Sequence, residues 1–78
     1  MSEKFEYRIV RHLTVLDEKS GGWKTELNLV SWNHREPKLD IRQWDSDHEK
    51  MSKGITLTYE AASSLCRALK EYLREGKA

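Results

Sequence analysis

Along Lys38–Trp44 (KLDIRQW) a cation, an acid, a second cation and an aromatic ring fall at alternate positions: Lys38, Asp40, Arg42 and Trp44. Side chains of an extended segment alternate between faces, so these four share one face while Leu39 and Ile41 share the other. Lysine and arginine neutralise phosphates, an attraction that weakens as salt rises. An aromatic ring stacks on a base for ~1–3 kcal/mol whichever base it meets. Together they are equipment for holding a single strand of nucleic acid. Lys24 and Trp32, in the segment before, extend that surface, and Lys50 and Lys53 fringe it from the segment after. The competing reading is an ordinary solvated strand face with Trp44 packed as an edge cover.

These side chains need a sheet to position them. Phe5–Leu16 (FEYRIVRHLTVL) is rich in aromatic and β-branched residues, with Phe5, Tyr7, Ile9, Leu13 and Val15 on one parity. Val10 breaks the alternation, which calls for a bulge or a partly covered second face. Asp17–Gly22 is a hairpin turn. Trp23–Asn33 is a second strand whose faces are ambiguous, since Leu27 and Leu29 argue for one parity and Val30 and Trp32 for the other. His34–Pro37 is a turn, Lys38–Trp44 the third strand, Asp45–Lys53 a polar loop closed by Gly54, and Ile55–Thr58 a short strand with Ile55 and Leu57 inward.

The remainder reads as a helix, with Thr58 as N-cap, Glu60 in the first turn and Gly76 at C′. Ala62, Leu65, Cys66, Leu69, Tyr72 and Leu73 form one apolar stripe. The fold class is therefore α+β: a four-stranded antiparallel sheet followed by one C-terminal helix, β-β-β-β-α. The helix is expected to cover one sheet face and leave the other, with Arg42 and Trp44, bare. Gly54 reads as a corner needing positive φ, in preference to a close approach of a nucleotide backbone.

Seventy-eight residues make one domain, 1–78, and only 37% of them are hydrophobic. A chain this short buries about 60% of the surface its unfolded form exposes, so a staple is needed. Cys66 is the sole cysteine; it cannot pair within the chain, and the staple left is a second copy. A homodimer is expected. Lys plus Arg is 14 and Asp plus Glu 13, net +1, so the chain as a whole carries no basic footprint and binding must rest on placement. No apolar run reaches the ~18–20 residues of a membrane span. The amino terminus lacks the apolar region of a signal peptide, and an unpaired cysteine suits the cytoplasm.

Other chemistry is set aside. Asp45, Asp47 and Glu49 alternate like a calcium loop, but the required glycine and glutamate positions hold Lys50 and Thr56. His12, His34 and His48 sit on separate segments without metal-ligand spacing, and Cys66 reads as a small core hydrophobe. No acid, base and oxyanion site assemble, so neither catalysis, cofactor nor metal is expected.

The run LDIRQW, followed by a polar loop and HEKMSKGITLT leading into a helix, resembles the positive cofactor four family of single-stranded-DNA-binding transcriptional coactivators, and most of all its small prokaryotic YdbC-like branch. The resemblance spans Trp32–Leu69. It implies a homodimer of β-β-β-β-α units whose curved sheets hold single-stranded DNA with little sequence preference, in transcription regulation or related processes. By position it gives binding roles to Arg42, to Trp44, and to Lys50 and Lys53 before Gly54-Ile55; Lys24, Trp32 and Lys38 rest on the strand-face argument. RNA is an alternative ligand, because stacking platforms accept either. The rival function is a protein-interaction module docking a partner on the open sheet face.

Overall fold

The computed structural model describes residues 6–76; Phe5, expected in the first strand, lies outside them. Four strands run β1 (Tyr7–Glu18), β2 (Lys24–Trp32), β3 (Lys38–Trp44) and β4 (Ile55–Leu57), followed by α1 (Tyr59–Arg74). They form one antiparallel sheet in the order β1-β2-β3-β4. The expected fold class is the observed one. The β2–β3 turn begins one residue earlier than its composition suggested. Asn33 and His34 adopt φ of 51° and 66°, and Arg35 N donates to Trp32 O at 3.0 Å, the twist-matched turn that two-residue hairpins favour.

Register resolves the ambiguous faces of β2. Lys24 pairs with Trp44, Glu26 with Arg42, Asn28 with Asp40 and Val30 with Lys38. Glu26, Asn28, Val30 and Trp32 therefore share a face with Asp40, Arg42 and Trp44, while Leu27, Leu29, Leu39 and Ile41 take the other. In β1 the register slips between Ile9 and Arg11, His12 and Thr14, and Val15 and Asp17. Each slip is a bulge that bends the strand and increases its twist.

The result is a strongly coiled sheet. Trp32 lies six residues along β2 from Glu26, the register partner of Arg42, which is ~20 Å in a flat sheet at ~3.3 Å per residue. Yet the Arg42 guanidinium carbon sits 4.5 Å from the Trp32 ring centroid. Tyr7, paired with Trp32, brings its ring to 5.3 Å from that of Trp44, whose register partner is at the far end of β2. Opposite corners of the sheet meet across its concave face.

Coiling inverts the expected distribution of burial. Val30, Trp44, Asn28 and Asp40 are fully buried, and Glu26 is nearly so. The face expected to be bare is the better packed one, closed by the curl of β1 and by the loop after β3. The helix face is the open one. Thr58 caps α1, its Oγ1 accepting from Ala61 N at 3.1 Å, and Gly76 at φ 73° ends it, its N–H donating to Leu73 O. No residue of α1 is buried: Leu69 stays 49% and Leu73 66% exposed, and Cys66, expected in the core, is exposed as well. Ile55, expected inward, is 54% exposed. Between sheet and helix runs an apolar groove of about 340 Å³, lined by Leu16, Leu27 and Ile41 on one side and Leu65, Leu69 and Leu73 on the other.

Gly54 does not have the positive φ expected of it. A Cβ there would lie 2.3 Å from Arg42 Cβ and 2.4 Å from Ile41 O, so the glycine lets the chain pass directly over β3. Because backbone cannot yield as a flexible side chain does, Gly54→Ala should destabilise the protein by ~1–3 kcal/mol in a urea titration. An unchanged midpoint would contradict that contact.

Candidate nucleic-acid interface

Asp40 and Arg42, two apart on β3, form a bidentate pair: Arg42 Nε donates to Asp40 Oδ1 at 2.7 Å and Nη2 to Oδ2 at 2.8 Å. Asp40 is fully buried and the Arg42 side chain only 13% exposed. The remaining nitrogen, Nη1, points to Ser52 O at 3.4 Å and Met51 Sδ at 3.5 Å. Arg42 thus spends most of its donors inside the protein, while its planar cation backs the ring of the partly exposed Trp32, a favourable cation–π contact. In this geometry Arg42 both neutralises the buried Asp40 and stands against the Trp32 ring.

Trp44 is the site residue the structure relocates. Its ring is fully buried, tilted against Tyr7 at 5.3 Å and His48 at 5.7 Å. Its indole N–H finds no acceptor among the described residues. A base has no face of this ring to stack on, so the expectation of an exposed Trp44 is corrected: the curl of the sheet and the loop over it enclose the ring, and the partly exposed tryptophan of this face is Trp32.

The lysines lie outside this packed centre. Lys24, Lys38, Lys50 and Lys53 are all exposed, and Lys24, Lys38 and Lys53 make no ion pair among the described residues. Lys50 belongs to a tightly tied loop. The Asp45 carboxylate accepts from Glu49 N at 2.9 Å and Lys50 N at 3.1 Å. The Lys50 backbone N–H, foremost, holds its carboxyl below the usual range. That support is present at neutral pH and is lost as pH falls through the lowered value.

A second cluster escaped the sequence reading. Glu26, buried on the concave face, is approached by His12 from β1 and His48 from the loop. His12 faces Asn28, two residues along β2 from Glu26, by strand register, and His48 is brought over by the folded-back loop, so the three meet from separate segments whose spacing carries no signal of it. The only hint lay in Glu26 and Asn28 sharing the parity of Val30 and Trp32.

Comparison with known proteins places the chain in a family. Residues 19–68 match the family described as Transcriptional Coactivator p15 (PC4). An uncharacterized protein of Treponema pallidum (strain Nichols) is 43% identical over 58 residues, covering 74% of this chain and 68% of that relative. The chain belongs to the PC4 family, whose members are single-stranded-DNA-binding and transcriptional-coactivator-like. Among the described residues no helix is long and apolar enough to cross a membrane.

Proposed function

We propose that the protein binds single-stranded DNA without reading its sequence, accepts RNA on the same surface, and works as a cytoplasmic homodimer that holds unpaired strands during transcription, replication or repair. The role is binding, not catalysis. The observation that carries this reading is the family match over residues 19–68, a span containing Lys24, Trp32, Lys38, Arg42, Lys50 and Lys53. The exposed lysines supply phosphate contacts, and Trp32, backed by Arg42, supplies the stacking surface. The whole chain, 1–78, acts as one domain in this account. Adding oligo-dT should quench tryptophan fluorescence, with affinity falling steeply between low and moderate salt. Absence of quenching together with no retention on an oligonucleotide resin would favour the rival reading, a protein-docking module.

The uncovered helix supports the homodimer. A leucine stripe left half exposed beside an apolar groove is the kind of surface that a second copy buries, each copy presenting the same patch to the other. Leu69→Asp should convert a dimer into monomer in analytical ultracentrifugation and lower thermal stability, because it places a charge in the centre of the stripe. A wild-type chain that sediments as monomer at micromolar concentration would refute the dimer.

A further inference from the structure

Loop 45–53 is folded back on the sheet by more than its ends. Its arms pair with the end of β3 through a bridge between Trp44 and Met51 and through Ser52, whose N–H donates to Gln43 O at 3.0 Å and whose Oγ accepts from Gln43 N at 3.1 Å. At its tip His48, with φ of 59°, lays its ring against Trp44 and offers its carbonyl to the Tyr7 hydroxyl. Its Nε2 lies 3.1 and 3.0 Å from the two oxygens of the buried Glu26 carboxylate. From β1, His12 Nδ1 lies 2.7 Å from Asn28 Oδ1, while Asn28 Nδ2 donates to Glu26 Oε1 at 2.9 Å.

These partners fix the direction of the hydrogen bonds. Asn28 Oδ1 and the carboxylate can only accept, so His12 donates through Nδ1 and His48 through Nε2. Every donor in the chain leads toward Glu26, an arrangement suited to an ionised carboxylate. Each imidazole can take a further proton on its second nitrogen without breaking a bond already made; both rings are partly exposed, 50% for His12 and 41% for His48. The other charged groups on this face near Glu26 are Arg42, occupied by Asp40, and Lys24 with its register partner Glu18 on β1. The loop itself adds Asp45, Asp47, Glu49 and Lys50.

We propose that loop 45–53 is a proton-sensitive cover over Trp44, latched to the sheet by His48, with His12 in support, on the Glu26 carboxylate. A protonated imidazole turns the latch into an ion pair with a buried partner, which the lifted loop lacks. Proton binding to the latch therefore favours the closed form, an advantage that fades as pH rises across the range in which histidine side chains change charge. Opposing the latch is the indole N–H of Trp44, enclosed without an acceptor among the described residues, which regains water when the loop lifts. The two effects pull in opposite directions, so a change of one charge shifts the balance.

The test uses the full chain labelled with 5-fluorotryptophan and no nucleic acid, so its failure is separate from failure of the DNA-binding reading. The solvent isotope shift of the Trp44 fluorine resonance between H2O and D2O reports ring exposure from about pH 5.5 to about pH 8, a range in which Asp45 stays ionised. The expected result is a small shift at the acid end that grows through a single transition. His48→Asn should give the larger shift at both ends, and Glu26→Gln should abolish the transition. A Trp44 shift constant with pH in the wild type would overturn the proposal, as would a transition that persists in His48→Asn. The His48 variant decides the matter even where Glu26→Gln fails to fold.

Discussion

Trp44→Ala should cost ~3–5 kcal/mol of folding stability, a large fraction of the ~5–15 kcal/mol that holds a typical domain together. The ring is fully buried where the coiled sheet brings Tyr7 and the loop residue His48 together, so truncation leaves a cavity at the centre of that contact. Urea unfolding monitored by circular dichroism measures the loss, and oligo-dT titration below the transition measures what binding the folded fraction retains. The stability loss should dominate. A variant as stable as the wild type that has lost DNA binding would show that Trp44 meets bases after all, through a conformation unlike this one.

Asp40→Ala should be nearly as damaging. The carboxylate is fully buried and accepts two charge-assisted bonds from Arg42, a cation itself only 13% exposed. Removing one member of such a pair strands the other and typically costs 3–5 kcal/mol, whereas replacing both by apolar residues of similar size is often near neutral. Asp40→Leu combined with Arg42→Met should therefore recover most of the stability lost in Asp40→Ala. It should not recover binding, because the cation behind Trp32 is gone. Equal destabilisation in the single and double variants would show that the pair is not the unit described here.

The β3 alternation made the face of Asp40, Arg42 and Trp44 legible from residue types alone, and Thr58 and Gly76 marked the helix ends for reasons of capping chemistry. Val10 signalled irregularity in β1. What local pattern could not convey was the sum of three bulges. Each is a small departure, but together they coil the sheet until Arg42 reaches Trp32, so the face with the charged alternation becomes the packed one. The apolar stripe from Ala62 to Leu73 was equally plain, and it misled for a related reason. A stripe shows that a helix wants a partner but not whether the partner is its own sheet or another chain, and here Leu69 and Leu73 remain half open beside the groove. Gly54 shows the same limit: the need for glycine was readable, while its cause, the passage over Arg42 and Ile41 O, depends on tertiary contact.

The exposed lysines around Trp32 are proposed to hold the phosphates of an unpaired strand, and the salt dependence of oligo-dT affinity in the wild type and in a variant carrying Lys24→Ala, Lys38→Ala and Lys53→Ala decides it. With ~0.7 in the logarithmic slope per single-strand contact, three lost contacts should flatten the slope by about 2. Folding should be unchanged, because these three side chains are exposed and make no ion pair among the described residues. A folded triple variant with the wild-type slope and affinity would contradict the claim.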